Sequence, residues 1–254
     1  MNDMYFYDSA FQNMASTGSA HAARRIAAAL LTVLPVRGVI DFGCARGTWL
    51  RVWKELGVAR IAGVDGDYVD RAKLEIDPAD FITDDLAREF RRDERFGLAQ
   101  SLEVAEHLSA TRARSFVADF VAHAPAVLFS AATPGQGGEH HVNERPAEYW
   151  QRLFAEHDFV AIDCVRPMLA RERGIPAWYR YNMVLYVDRV HLDQVSPFAR
   201  QFQLRGDEKL NDPLPKLYKI RKNVIRALPQ NVCDLLARIN ARRFSGDELK
   251  GVSS

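Results

Sequence analysis

Residues 39–50 have the sequence VIDFGCARGTWL and decide the fold. The apolar, β-branched run that ends in Asp41 predicts a buried strand, and the residues after Gly47 begin a helical pattern. Between them lie Gly43, Ala45 and Gly47, and glycine allows both a tight turn with positive φ and a close approach of a ligand to the main chain. A strand that turns through glycines into a helix is typical of open α/β sheets, which bind ligands at the carboxyl ends of their strands.

The sequence on both sides of this stretch alternates short β-branched runs with segments that have apolar residues at helical spacing. The predicted strands are residues 36–41, 59–65, 80–83, 96–101, 126–130, 159–165 and 181–187. Helical spacing is present at residues 49–56, 69–74 and 111–123. The alternation predicts an α/β fold with helices on both faces of a mostly parallel sheet, and a Pro- and Arg-rich link before the last strand indicates an antiparallel edge.

Composition limits the class of protein. The chain has 254 residues, of which 48% are apolar and 26% charged, which is typical of a folded domain with an appendage. The formal net charge of +1 argues against a nucleic-acid binder that works through overall charge. Three widely spaced cysteines outside any CxxC pair argue against a disulfide framework or a zinc knuckle. The longest apolar run is too short for a bilayer and the first residues lack the order of a signal peptide, so we expect a cytoplasmic protein.

The spacing of the small residues indicates the kind of ligand. A dinucleotide loop needs glycine at its first, third and sixth positions, but the sixth position here is Thr48. With an acid two residues before Gly43, the stretch instead resembles motif I of the class I S-adenosylmethionine (SAM)-dependent methyltransferases, (D/E)-x-G-x-G-x-G. The resemblance implies a Rossmann-like, seven-stranded sheet, a loop through Gly43, Ala45 and Gly47 that wraps the methionine part of SAM, and Asp41 as the anchor of its amino group. Ala45 replaces the middle glycine, and we expect a negative φ there.

Further acids follow the loop in the order that the resemblance implies. Asp65 ends the second strand, where a carboxylate accepts hydrogen bonds from both ribose hydroxyls, with Asp67 as the alternative. After the third strand, FITDDLA places Asp85 directly before Leu86. The resemblance implies that Asp85 binds the adenine amino group and that the backbone N–H of Leu86 meets the ring, with Asp84 as the alternative acid.

The resemblance divides the chain into three parts. We expect residues 1–35 to form a helical lid over SAM, residues 36–187 to form the SAM-binding domain, and residues 188–254 to form a basic, mostly helical extension. Between residues 216 and 243 there are eight Lys or Arg and one acid, and apolar residues at 217, 220, 224 and 228 share one helix face. Two interpretations stay open: this helix binds an anionic membrane surface or an acidic protein, or it packs on the acidic body of its own chain.

The segment after the fourth strand, SLEVAEHLS, contains the metal-ligand candidates. On a helical turn Glu103, Glu106 and His107 would share one face, and such a set suits a divalent cation, Mg²⁺ or Mn²⁺. The E-x-x-E-H string is similar to that of metal-dependent small-RNA 2′-O-methyltransferases, which add a later His, and of ubiquinone-type catechol O-methyltransferases. The later His in this sequence is His140 or His141, and we favour His141. The metal-free alternative, in which His107 lines the pocket, stays open.

The stretch GGEHHVNE after the fifth strand predicts a loop over the pocket. His107, His140 and His141 are the candidate general bases, because imidazole takes up a hydroxyl proton near neutral pH. The stretch resembles a G-G-x-x-H-x-N-E…Y-W segment of methyltransferases in polysaccharide and natural-product pathways. That resemblance implies an O-methyltransferase acting on a hydroxyl of a sugar, glycan or natural product. The alternatives are RNA 2′-O-methylation, catechol-type O-methylation, and a non-catalytic SAM-binding protein of a membrane surface or protein partner; the acidic body argues against nucleic acid.

Overall fold

The computed structural model describes residues 9–172, 174–206 and 208–229, together with residues 232, 233 and 235. The side chains expected to form the N-terminal lid, Tyr5, Phe6, Tyr7 and Phe11, lie outside what it describes, as do residues 236–254 of the expected basic extension. No helix in the described ranges has the length and apolar content that a membrane span requires.

A single seven-stranded sheet has the order β3-β2-β1-β4-β5-β7-β6. Its strands are β1 (Gly38–Phe42), β2 (Arg60–Asp65), β3 (Phe81–Thr83), β4 (Leu98–Leu102), β5 (Ala126–Ser130), β6 (Phe159–Ile162) and β7 (Val184–Asp188). Strands β1 to β5 pair in parallel, and β7 lies antiparallel between β5 and β6. The predicted α/β fold, the number of strands and the antiparallel edge are confirmed.

The helices are α1 (Ser9–Leu31), α2 (Thr48–Glu55), α3 (Ala113–His123), α4 (Ala147–Ala155), α5 (Val165–Leu169), α6 (Ala177–Asn182), α7 (Pro197–Arg200) and α8 (Lys216–Arg226). The helix predicted at residues 69–74 is only a 3-10 turn, Arg71–Lys73, because Leu74 is extended. The last predicted strand begins later than expected, because α6 occupies residues 181 and 182.

The core lies on both faces of the sheet, because successive strand side chains point to opposite sides. Val39 of β1 belongs to the cluster under α1 and α2, which includes the fully buried Trp53. Phe42 of the same strand points to the opposite face and belongs to the cluster under α3 and α4. Its ring packs edge-on against that of Phe120 at a centroid distance of 5.1 Å. The carboxyl ends of β1, β2 and β4 lie side by side at one edge of the sheet, because β1 pairs in parallel with both of the others.

A buried ion pair holds the segment after β3. Arg112 donates hydrogen bonds to the carboxylate of Asp119 and to the carbonyl oxygens of Leu86 (3.0 Å) and Arg88 (2.6 Å). The side chains of Arg112 and Asp119 are 6% and 0% exposed, and Arg91 also donates to Asp119. The pair therefore fixes the backbone at Leu86, where the sequence predicts the adenine contact.

We expect Arg112→Ala to lower the free energy of unfolding by about 3 kcal/mol, since it leaves Asp119 buried with only Arg91 to compensate its charge. Urea denaturation measures this loss. The matched control is Arg114→Ala, two residues later. The side chain of Arg114 is 69% exposed and pairs with Glu156, and exposed pairs of this kind contribute about 0–1 kcal/mol. Equal losses in the two variants would contradict the assignment of Arg112 to a buried structural pair.

Candidate active site

The glycine loop between β1 and α2 has three left-handed residues. Gly43, Ala45 and Gly47 have φ values of 84°, 49° and 83°. The expectation of a negative φ at Ala45 was therefore wrong. The left-handed conformation, which costs an alanine about 1–2 kcal/mol, turns the backbone N–H of Ala45 toward the carboxylate of Asp65, and the two groups form a hydrogen bond of 2.7 Å.

Gly43 brings this loop against the turn that follows β4. A Cβ atom on Gly43 would collide with the side chain of Val104, which lies between Glu103 and Ala105. The positive φ and this close approach both require glycine at the position. The predicted cofactor loop and the predicted catalytic turn are thus in direct contact.

Asp41 is the next-to-last residue of β1, and its carboxyl group is buried, 3% exposed. Gln100 of β4 donates a hydrogen bond of 2.9 Å to it, and Trp53 of α2 donates one of 2.9 Å to the Gln100 carbonyl oxygen. Burial, and to a smaller extent the nearby Asp65, raises the pKa of Asp41 to about 8, against the lowering effect of the Gln100 hydrogen bond. A ligand cation placed here would favour the charged carboxylate.

Asp65 ends β2 and is hydrogen-bonded on both oxygens. One oxygen accepts from Ala45, and the other accepts from the backbone N–H of Gly66 at 2.7 Å and from the hydroxyl of Tyr68. Burial raises the pKa of Asp65, and these three hydrogen bonds lower it. The group predicted to bind the ribose therefore also holds the glycine loop, and the partner that a ligand hydroxyl could replace is Tyr68, whose side chain is 39% exposed. The alternative acid, Asp67, is exposed.

The predicted adenine residues follow β3. Asp85 is exposed; it accepts a hydrogen bond from the backbone N–H of Ala87 at 3.0 Å and pairs with Arg88 at 3.3 Å. Leu86 is 8% exposed and its carbonyl is held by Arg112. The alternative acid, Asp84, accepts from the backbone N–H of Asp85 at 2.8 Å. The structure places these residues beside Asp65 at the sheet edge, since the Asp84 N–H donates to the Asp65 carbonyl at 2.9 Å.

The turn after β4 differs from the helical turn that the spacing suggested. Glu103 has a φ of 57° and precedes a short 3-10 turn that contains Glu106 and His107. Because of this left-handed conformation, Glu103 does not share a face with the other two. Its carboxylate accepts hydrogen bonds from the side-chain amides of Gln136 (2.7 Å) and Asn182 (3.1 Å). Glu103 lies outside the cluster that the structure forms from the other predicted metal ligands.

That cluster consists of Glu106, His107 and His141, which each offer a ligand atom within 4.8 Å of the others. Glu106 is fully buried, and neither carboxylate oxygen has a hydrogen-bond partner among the described residues. Burial, and then the charge of Glu103, hold the pKa of Glu106 well above its ordinary value. Burial also lowers the pKa of His107 to about 3, so this imidazole is neutral. Two imidazoles and an unpartnered buried carboxyl group are an unusual combination outside a binding site.

Both imidazoles are oriented through their Nδ1 atoms. His107 Nδ1 lies 3.2 Å from the carbonyl oxygen of His140, and His141 Nδ1 lies 2.9 Å from a carboxylate oxygen of Glu144. With Nδ1 as the donor in each case, the lone pair is on Nε2, the arrangement that metal-binding or proton-accepting histidines need. His140 contributes its main-chain carbonyl oxygen to this arrangement, and the second imidazole of the cluster is that of His141.

Glu144 also shapes the loop that carries His141. It accepts the backbone N–H groups of Gly135 (2.7 Å) and Gly137 (2.9 Å). Burial raises the pKa of Glu144, but the hydrogen bonds from His141 and from these glycines outweigh burial and leave it below its ordinary value. The backbone N–H of Asn143 donates to the Glu106 carbonyl at 3.0 Å, which ties the loop to the turn after β4.

Four site residues were missed by sequence reasoning: Gln136, Glu144, Asn182 and Lys222. Asn182 donates to the Gln136 side-chain oxygen at 2.8 Å as well as to Glu103. Lys222 of α8 donates to the hydroxyl of Thr133, and burial lowers its pKa. Glu144 was visible in the GGEHHVNE stretch, but the partners of Asn182 and Lys222 are distant in the sequence and left no local signal.

Comparisons with known proteins find similarity in fold. No family model and no curated protein sequence matches the chain. The sugar N-methyltransferase KedS8 from Streptoalloteichus sp. is 14% identical, with a TM-score of 0.55 over 74% of this chain and 96% of that one. A chain of the complex between the Haloferax volcanii Trm112 methyltransferase activator and a methyltransferase is 14% identical, with a TM-score of 0.51 over 72% of this chain and 99% of that one.

The small RNA methyltransferase HEN1 is 16% identical, with a TM-score of 0.46 over 66% of this chain and 25% of that one, so this chain spans about a quarter of its length. At these identities the similarity concerns architecture. The sheet order and the similarity to KedS8 and to the Haloferax volcanii chain show that this chain has the Rossmann-like fold of the methyltransferases.

Proposed function

We propose that this protein is a SAM-dependent methyltransferase that methylates a hydroxyl group of a sugar, glycan or natural product. The observation that carries the proposal is the contact of the glycine loop, between the strand-end acids Asp41 and Asp65, with the turn that bears Glu106 and His107. A loop suited to SAM and a set of proton-accepting or metal-binding groups thus meet at one sheet edge, where open α/β sheets bind their ligands.

Asp41 and Asp65 are the proposed SAM contacts. The ammonium group of the methionine part would pair with Asp41, whose buried carboxyl group is aimed from the end of β1. The ribose hydroxyls would donate to Asp65 in place of Tyr68, and the adenine would lie against Leu86 with Asp85 at its amino group. Gly43, Ala45 and Gly47 let the cofactor approach the main chain.

The reaction would be a direct displacement. The acceptor oxygen forms a bond to the methyl carbon, the bond from that carbon to sulfur breaks, and S-adenosylhomocysteine leaves while the hydroxyl proton passes to a base. We assign that role to His141, because Glu144 behind its Nδ1 gives the base and orienting group that general-base catalysis requires. His107 and His140 are placed to support it, His107 through its ring and His140 through its carbonyl. The main contribution of the protein is then alignment and deprotonation.

The cluster also fits a divalent metal ion. An oxygen of Glu106 and one ring nitrogen each of His107 and His141 give a donor set of one carboxylate and two imidazoles, which favours Mn²⁺ or Zn²⁺ over Mg²⁺, since Mg²⁺ prefers oxygen ligands alone. When bound, such an ion would lower the pKa of a coordinated hydroxyl. Glu103 is not among the proposed metal ligands. Together with Gln136 and Asn182 it would offer hydrogen-bonding groups to the acceptor, which suits a polyhydroxyl compound.

We expect Asp41→Asn to weaken SAM binding by about 1.5–3 kcal/mol, because the amide keeps the acceptor for Gln100 but loses the charge. Because burial raises the folded-state pKa of Asp41 from 3.8 to about 8, the native state holds a proton that the unfolded state has lost, and the free energy of unfolding falls as the pH rises from about 4 to about 8. The variant should therefore melt above wild type at pH 9 and close to it at acidic pH. Calorimetric titration and thermal melts measure both effects, with the exposed Asp67→Asn as control. Unchanged SAM affinity would exclude Asp41 as the anchor.

The metal site is tested by stability rather than activity. Mn²⁺ or Zn²⁺ should raise the unfolding free energy of wild type by about 2.7 kcal/mol when the free ion is about 100 times its Kd. Glu106→Gln should abolish the effect, since it removes the anionic ligand, whereas Glu103→Gln should retain it because Glu103 lies outside the cluster. If wild type shows no stabilisation, or the two variants respond alike, the cluster is a metal-free pocket wall.

The function itself is tested by transfer of a labelled methyl group from SAM to a panel of sugars, catechols and RNA, with and without EDTA. We expect a sugar-type hydroxyl to be methylated, and His141→Ala to lower turnover by a factor of about 100 or more while SAM affinity is retained. Methylation of RNA or a catechol instead would identify the alternative acceptor. A chain that binds SAM but methylates none of these compounds would favour the non-catalytic alternative, and wild-type turnover in His141→Ala would place the base elsewhere.

A further inference from the structure

One face of helix α8 packs on the active-site loop, which is the segment between β5 and α4 that carries His141. The ring of Tyr218 contacts that of Tyr181 at a centroid distance of 6.1 Å, and Lys222 donates to Thr133. Ile225 approaches Gly137 so closely that a Cβ atom there would lie 3.0 Å from it. These three inward residues leave the opposite side of the helix to solvent.

The outer face carries an apolar stripe, Leu217, Ile220 and Val224, with exposed fractions of 80%, 60% and 58%. The spacing of three and then four residues places them on one side of the helix. A surface helix normally turns its apolar side chains to the core, whereas α8 leaves these three in contact with water. Such an exposed apolar surface, bordered by polar residues, marks a site of interaction.

Basic residues lie beside this stripe and on the other side of the helix. Arg221 follows Ile220 on the edge nearer the body, and Lys216, Lys219 and Arg226 lie on the other side of the helix, all four exposed. No acid occurs from residue 213 to residue 229, and Pro213, Pro215 and Pro229 bracket the segment. The remainder of the described chain is acidic on balance. One acid next to the helix, Asp212, pairs with Lys219 at 3.5 Å, and both side chains of this pair are exposed.

An apolar stripe flanked by cations has the chemistry of an interfacial helix, which inserts its apolar side at the boundary between headgroups and acyl chains and keeps its cations on anionic headgroups. An acidic protein would satisfy the cations, but it would leave the apolar stripe without a matching surface. The charge and the apolar stripe together therefore favour lipid.

We propose that the outer face of α8 docks the protein on an anionic lipid surface, with Leu217, Ile220 and Val224 in the interface and Lys216, Lys219 and Arg226 on the headgroups. This inference stands apart from methyl transfer, because it depends on the outer face alone. The inward face of α8 stays on the active-site loop when the helix is docked.

The test is co-sedimentation of the full chain with vesicles of phosphatidylcholine alone and of phosphatidylcholine with an equal amount of phosphatidylglycerol. Wild type should sediment with the anionic vesicles and not with the neutral ones, and binding should fall as salt is raised from about 0.1 M to about 1 M. The triple variant Leu217→Gln, Ile220→Gln, Val224→Gln should bind at least about tenfold more weakly. Its matched control is Val190→Gln with Phe198→Gln, which removes two other exposed apolar side chains and should bind as wild type.

A second variant tests the charge. Lys216→Glu, Lys219→Glu, Arg226→Glu should weaken binding about a hundredfold or more, since each cation near an anionic surface contributes about fivefold. The urea midpoint of each variant shows whether it has folded. The proposal is overturned if wild type fails to sediment, if neutral vesicles bind it equally, or if the apolar variant binds like its control. It is also overturned if light scattering shows that wild type is a dimer that the apolar variant splits, which would make the stripe a contact between copies.

Discussion

The hydrogen bond from the backbone N–H of Ala45 to the carboxylate of Asp65 is the contact on which the site depends. It holds a left-handed alanine between two left-handed glycines, and that conformation sets Gly43 against Val104 on the turn after β4. The ends of three neighbouring strands are thereby joined, and the groups they carry have fixed separations before any ligand is present. This order in the ligand-free protein reduces the entropy that binding must overcome.

Two of the joined groups are buried carboxyl groups with few hydrogen-bond partners among the described residues. Asp41 accepts a hydrogen bond from Gln100, and Glu106 accepts none from the described residues. Burial without such partners disfavours their charged forms and makes the native state less stable than a neutral pair of residues would. The same burial strengthens their attraction to a cation, because few water molecules remain to screen it. The protein thus carries a stability cost at the positions where a positively charged cofactor or metal ion would remove it.

The fold and the strand-end acids could be predicted from the sequence because they depend on local patterns. Asp41 and Asp65 each follow a run of buried apolar residues, and the glycines after Asp41 have only a few conformations available. The position of Glu103 could not be predicted, since its spacing from Glu106 suits a helical turn and only tertiary packing selects the positive φ that separates them. Asn182 reaches Gln136 across 46 residues of sequence, a contact created by the antiparallel return of the chain.

Gly135 lies in the loop after β5, directly against helix α8. Its φ is 81°, and a Cβ atom there would overlap the main-chain carbonyl of Lys222, so α8 lies on bare backbone at this point. Any other residue at 135 would push α8 away from this loop. It would not contact the glycine loop at residues 43–47. The position of α8 and the conformation of the loop that carries Gly135 are therefore linked through a contact between two backbones. A side chain at residue 135 would displace α8, the loop, or both, and so would join a change in the docking helix to a change beside His141.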